Sequence, residues 1–305
     1  MNRIDTAWRP STCFVWWTAI RPRTLGMSVA PVAFGTALAL ADGGGLDWAV
    51  LAATLACALL IQIGTNLYND AADYERGTDT PDRRGPTRVT LAGWASAGRV
   101  KRGAALCLGA ALAIGAGLVV VGGWPILAIG CASLVAAWGY SGGPRPISHT
   151  PLGEVFVLAF FGVFAVAGSH WLQSPQLSWR DLVGGLAVGA PAAAVLLVNN
   201  FRDLDTDRRS GRRTLAAVLG PRRTRFAYAA FVLAPFAAFA ALAAGGLLGA
   251  AAGALCLPAC VALIPRLEPT AGAAELNRLL AATARLATLG GLLGAAGIAL
   301  GRLLF

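Results

Sequence analysis

The sequence predicts an all-α polytopic membrane protein, nine transmembrane helices in one bundle with two aspartate-rich motifs at their cytoplasmic ends. Three observations carry this. The 305 residues are 56% hydrophobic and only 13% charged, with mean hydropathy +0.63, whereas soluble domains carry about 25% charge. Apolar runs of roughly 18 or more residues recur along the chain, each about long enough to cross a ~30 Å hydrocarbon core. The basic residues crowd into connections on one side of these runs, 22 there against two on the other. The positive-inside rule then puts the N-terminus and the charged connections in the cytoplasm and the C-terminus outside. A β-barrel would show alternating segments of about ten residues, and none is present.

Taken in order, the N-terminal segment 1–23 contains WRPSTCFVWWTAIRPRTL. Trp8, Trp16 and Trp17 suit a stretch lying among the headgroups, although a plain leader into the first span fits the same residues. It lacks a short apolar core with a small-residue cleavage site, so no cleavable signal is expected. Spans are expected at 24–41, 47–69, 103–122, 124–141, 152–171, 180–201, 224–243, 246–264 and 279–302. Five of the six cysteines lie inside these runs, where Cys acts as a small hydrophobe. With His149 and His170 the only histidines, no His/Cys metal centre is expected. The net charge of +10 would suggest nucleic acid in a soluble protein. Here it sets topology, and no nucleic-acid partner is expected.

The charge that remains is concentrated. Residues 66–88, NLYNDAADYERGTDTPDRRGPTR, hold five carboxylates and four arginines at the end of the second span. The sixth span ends similarly, in LLVNNFRDLDTDRRSGRRT, and Asn66/Asp70 match Asn199/Asp203 in spacing. The two sites lie four spans apart, which suggests a single domain with a pseudo-repeat, 24–141 and 152–264, plus a ninth helix. On a helix, residues three or four apart share a face. Asn66, Asp70 and Asp73 thus form one candidate set, and Asn199, Asp203 and Asp207 a second, while Asp205 faces away. Like charges at this spacing need a counter-charge. Salt bridges to neighbouring arginines would provide one. A divalent cation is the sharper answer, because Mg²⁺ takes one or two carboxylates plus substrate phosphates, and arginine forks match the remaining phosphate oxygens. A lipid diphosphate bound this way would leave its tail among the apolar spans. Ion-binding acids of a secondary transporter belong near mid-span on broken helices, and a merely structural or partner-binding membrane protein gives the paired Asn/Asp spacing no purpose.

These motifs resemble the UbiA superfamily of intramembrane prenyltransferases. NDAADYERGTDTPDRRGPTR, NNFRDLDTDRRSGRRTLAAVLG, RPRTLGMSVAPVAFGTALA and YSGGPRPISHTPLGEVFVLAFFG are most similar to its 1,4-dihydroxy-2-naphthoate polyprenyltransferase branch, in menaquinone synthesis, over residues 17 to 300. The resemblance implies nine helices, Mg²⁺ as cofactor, and transfer of a polyprenyl group from polyprenyl diphosphate to the aromatic acid with loss of CO2. It implies a multi-pass protein in the lipid bilayer of a prokaryotic plasma membrane, with its active site on the cytoplasmic side. Another acceptor, such as a hydroxybenzoate, homogentisate or a sugar phosphate, is the alternative. Asp70, Asp73, Asp203 and Asp207 are then catalytic metal carboxylates, and Arg83, Arg88 and Arg212 contact diphosphate. Asp79, Tyr140, Arg145 and Arg21 are further substrate candidates. Two positions depart from the family pattern. Arg212 stands where a lysine is frequent, and Gly77 stands where many members have a third acid of the first motif.

Overall fold

A computed structural model describes residues 10–81 and 83–304. Trp8, Arg3 and Arg9 of the expected interfacial segment lie outside the described residues, as does Asp82 of the first motif. Among the described residues all regular structure is helical. A short α1 (Thr12–Ile20) leads into α2 (Pro22–Ala41), α3 (Trp48–Glu75) and α4 (Ala97–Ser141). Next, α5 (Gly153–Leu158) runs through a π turn, Ala159–Val163, into α6 (Phe164–Gln173). Then come α7 (Trp179–Arg202), α8 (Leu204–Arg209), α9 (Leu215–Ala244), α10 (Leu257–Val261) and α11 (Ala273–Leu304). The starts follow the sequence: Ser11, Asp47, Ser96, Ser178 and Thr214 cap α1, α3, α4, α7 and α9 by accepting from backbone N–H groups of the first turn.

Eight of these segments are long and apolar enough to cross a membrane, against nine expected spans. The difference lies in α4. The expected spans 103–122 and 124–141 meet in one 45-residue element, about 67 Å if straight, twice the hydrocarbon thickness. It is broken at Gly123 (φ 68°, ψ −154°), two residues before Pro125. A left-handed glycine and a proline make the break without any loop. The eighth expected span, 246–264, is a tighter helix than foreseen: Leu248–Cys256 is 3-10, followed by the five residues of α10.

The middle of the bundle is α7, whose residues from Ala187 to Val195 are all buried. They are alanines, valines, a glycine and a proline. Between helices in lipid, small residues permit the close packing that hydrophobicity alone cannot drive. The π turn depends on this, because a Cβ on Gly162 would lie 2.4 Å from the Gly185 carbonyl oxygen of α7. One apolar cluster joins α7 to α9 and α11 through Leu197, Val198, Phe201, Tyr228 and Leu279. A second cluster packs Ala187 and Val188 against Phe34, Leu38 and Val166, and a cavity lies beyond it.

Candidate active site

The cavity encloses about 420 Å³ between α2, α3, both halves of α4 and the α5–α6 rod. Its walls are apolar. Phe156, Phe160 and Phe164 form a ladder along one side with ring centroids 5.9 and 5.2 Å apart. Few polar groups reach it. Gln62 is one, hydrogen-bonded to Ser28 and donating to the Thr24 carbonyl, and Tyr140 near the C-terminus of α4 is another.

Both acidic motifs stand at helix ends. The last turns of α3 carry Asn69, Asp70 and Asp73, all buried. Asp70, 1% exposed, accepts from the Val89 N–H at 3.1 Å and the Thr90 N–H at 3.0 Å, folding the following loop back over the helix end. Asp73 accepts from Asn69 Nδ2 at 2.8 Å and faces Arg212 at 3.0 Å and Arg88 at 3.5 Å. Asp79 pairs with Arg83 and, at 3.2 Å, with Arg88 Nε. In the second motif, α7 ends at Arg202 and a separate turn, α8, carries Asp207. Asp203 accepts from Arg202 Nε at 2.9 Å. Asp207 lies 3.6 Å from Arg212. Arg212 also donates to Thr78 Oγ1 at 2.9 Å. One guanidinium thus joins the two motifs, which are more than 130 residues apart in sequence.

Burial shapes these charges. It raises Asp79 to about 6 against the pull of Arg83, and raises Asp207 to about 6 against the pull of Arg212. Burial, with the charge of Arg212, lowers His149 to about 4, so its imidazole is neutral at pH 7.

The two asparagines of the first motif are placed differently. Asn66 turns toward α1 and donates to the Ile20 carbonyl at 3.1 Å. Asn69 stands in the acid cluster instead, accepting from Arg88 at 2.6 Å and Arg21 at 3.0 Å. Positions 66 and 69 both satisfy helical spacing to an aspartate, so the pattern alone does not separate them. Asn199 accepts from Arg202 at 2.9 Å, and its neighbour Asn200 turns to Glu154. Arg145 is exposed. Arg84 and Asp205 form an exposed pair at 3.5 Å. Arg202, one of the 22 basic residues on the charged side, is buried and also donates to Asn277 of α11 at 2.8 Å, while Asn277 donates to the Arg84 carbonyl at 3.0 Å. Arg76, another topology charge, donates to the carbonyls of Ser141 and, at 2.7 Å, Gly143. Asn200, Arg202 and Arg76 were visible only as members of polar runs, and Asn277 had no signal.

The chemistry on offer is that of a cation and an anion bound together. Among the described residues no three Asp, Glu, His or Cys side chains gather as a metal-ligand set, because arginines stand between the acids. The donors nevertheless suit a hard divalent ion, which takes oxygen ligands. Asp73 Oδ1 and Asp79 Oδ2 are buried carboxylate oxygens with no aligned hydrogen bond. Arg88 NH1 and Arg212 Nε are buried donors with no acceptor, as an anion site requires.

Residues 28–274 match the UbiA prenyltransferase family. The chain belongs to this family. It is 37% identical over 213 residues to the 1,4-dihydroxy-2-naphthoate octaprenyltransferase of Mycobacterium tuberculosis, covering 70% of this chain and 72% of that protein. It is 35% identical over 224 residues to the Escherichia coli protein of the same name, covering 72% of each. Its fold is similar to a UbiA homolog from Aeropyrum pernix K1, TM-score 0.67 at 20% identity, over 90% of this chain and 97% of that one. A UbiA homolog from Archaeoglobus fulgidus bound to DMAPP and Mg²⁺ gives 0.65 at 14% identity, over 93% and 98%. As a UbiA family member with apolar helices throughout, the chain is a multi-pass membrane protein.

Proposed function

We propose that the protein transfers a polyprenyl group from polyprenyl diphosphate to 1,4-dihydroxy-2-naphthoate, releasing diphosphate and CO2. The observation that carries this is the position of Arg212, between Asp73 and Asp207, in a polar site on the same side of the bundle as Tyr140 at the end of an apolar cavity. The diphosphate sits at the polar end and the prenyl tail follows the Phe156–Phe160–Phe164 wall. Asp73, Asp79 and Asp207 would hold Mg²⁺ with the phosphates, with Asp70 and Asp203 at the helix ends that position them. Bound there, the cation supplies charge stabilisation to the leaving diphosphate.

This chain's residues supply the remainder. Arg88 and Arg212 turn their free N–H groups to the phosphate oxygens, and the charge that develops as the allylic C–O bond breaks meets donors already in place. The apolar cavity keeps water from the allylic cation. Each half of α4 crosses the bilayer once, giving nine crossings of a single domain with both motifs on the cytoplasmic side of a prokaryotic plasma membrane, as the basic asymmetry requires. The test is turnover by purified protein in detergent with Mg²⁺, a series of prenyl diphosphates, and acceptors labelled in the carboxyl carbon. The expected result is release of label in step with prenylation of the naphthoate, and little turnover of 4-hydroxybenzoate. Stoichiometric retention of the label in the product would sink the naphthoate assignment and leave the diphosphate half standing.

A further inference from the structure

Glu154 has no task in the reaction as described so far. It lies in the first turn of α5 and is 0% exposed. Its Oε1 accepts from Asn200 Nδ2 of α7 at 2.9 Å, and its Oε2 is buried with no partner among the described residues. A buried carboxylate oxygen left without a donor is costly, since the group gives up water and receives nothing in return. A structural tie between α5 and α7 needs only Oε1.

Glu154 lies just behind the cavity wall. Phe156 and Val157, two and three residues on, line the cavity. Tyr140, also on the cavity wall, is the common electrostatic neighbour of Glu154, Asp73, Arg21 and Arg212. The α4–α5 connection beside it is gripped by both motif loops. Arg76 holds its start through the carbonyls of Ser141 and Gly143, and the Arg213 N–H donates to the His149 carbonyl at 3.0 Å. Within this connection Ser148 Oγ and His149 Nε2 are again buried and unpartnered. Of these groups, Glu154 does not suit a diphosphate. Glu154 is anionic when ionised, and Ser148 and the neutral His149 bring no positive charge. They suit a ligand that carries hydroxyl groups on a flat apolar ring.

We propose that the α4–α5 connection and the first turn of α5 form the acceptor subsite, and that Glu154, through Oε2, takes up and returns the proton of a ring hydroxyl. This rests on the reading of the chain as a prenyltransferase of a hydroxylated aromatic acid. As the ring carbon bearing the carboxylate bonds to the allylic carbon, diphosphate leaves with the C–O electron pair. The neighbouring hydroxyl becomes a ketone by giving its proton to Glu154. The ring is now a β-keto carboxylate. Loss of CO2 returns an electron pair to the ring as an enolate, and Glu154 gives the proton back to that oxygen, restoring the aromatic quinol. Every proton and electron pair is accounted for without an oxidant.

The experiment is Glu154→Gln, which keeps the volume and the Asn200 bond, compared with wild type and Glu154→Asp. Turnover is followed on whichever acceptor of the series wild type uses, so a different acceptor overturns the naphthoate reading alone. Folding and the diphosphate side are checked by thermal melting and by binding of an unreactive prenyl thiolodiphosphate. The expected result is normal melting and thiolodiphosphate affinity in E154Q with kcat down by about a hundredfold or more, the usual contribution of a general base. The E154Q rate should also climb with pH where wild type is flat, as ionisation of the acceptor replaces the lost base, and E154D should recover part of the rate. Near-normal kcat in E154Q, an unchanged pH profile, or loss of thiolodiphosphate binding and folding along with activity would each make Glu154 a helix tie only and overturn the inference.

Discussion

Replacing Arg212 by methionine removes a charge that two acids share. Arg212 lies 3.0 Å from Asp73 and 3.6 Å from Asp207 and is largely buried. At an effective dielectric near 20, each attraction amounts to about 5 kcal/mol gross. Much of that offsets desolvation, and removing one member of a buried pair costs about 3–5 kcal/mol net. Asp73 keeps Arg88 and Asn69, whereas Asp207 has no second ion pair among the described residues, so the loss centres on Asp207. Its carboxyl is already raised to about 6, and without Arg212 it rises further. A carboxyl whose folded pKa exceeds its unfolded value favours the folded state when protonated, and that contribution disappears as pH rises through the folded pKa. The gap in melting temperature between wild type and Arg212→Met, in detergent without ligands, should therefore be wide at pH 8 and narrow at pH 5.5. Mg²⁺ alone at pH 8 should stabilise the variant more than wild type, because a cation replaces the missing guanidinium. A gap that neither pH nor Mg²⁺ alters would refute this account of the charges.

Other expectations follow from the same geometry. Asp73→Asn, which disturbs contacts to Asn69, Arg88 and Arg212, should lower kcat by about a hundredfold or more. Asp205→Asn breaks only an exposed pair with Arg84, of the kind that contributes about 0–1 kcal/mol, and its turnover should stay within about twofold of wild type. Asn69→Ala should impair turnover severely. Asn66→Ala loses a single bond to the Ile20 carbonyl, so it should cost about 1 kcal/mol of stability and leave kcat near normal. Binding of prenyl thiolodiphosphate with Mg²⁺, measured by titration calorimetry, should weaken as pH falls through about 6, where Asp79 and Asp207 take up protons.

Much of the fold was legible because a membrane leaves a chain few choices. Long apolar runs must be helices, and the basic connections mark their ends. The break in α4 was readable as a boundary at residue 123, but not its form, since a single glycine and Pro125 do what a loop does elsewhere. The 3-10 winding of Leu248–Cys256 left no trace, because a run of alanine, glycine and leucine is apolar in either winding. In the site, spacing located the acids but could not choose between Asn66 and Asn69. That choice depends on which face of α3 meets α1 and which meets the folded-back loop.

The arginines were harder to read than the aspartates for a physical reason. A short acidic side chain at a helix end has little reach, so its sequence position nearly fixes its place. An arginine reaches several ångströms further, and its partner is decided by the fold. Arg145 is exposed, while Arg76 and Arg202, equally basic in the sequence, are held in the structure by carbonyls, Asn199, Asp203 and Asn277. Positive-inside topology asks for these charges on one side of the membrane, and the acidic clusters take several of them as ion-pair partners. The same requirement gives the buried acids their counter-ions before any metal arrives. Arg212 spans the two motifs, 3.0 Å from Asp73 and 3.6 Å from Asp207, so neither of these acids is buried without a counter-charge.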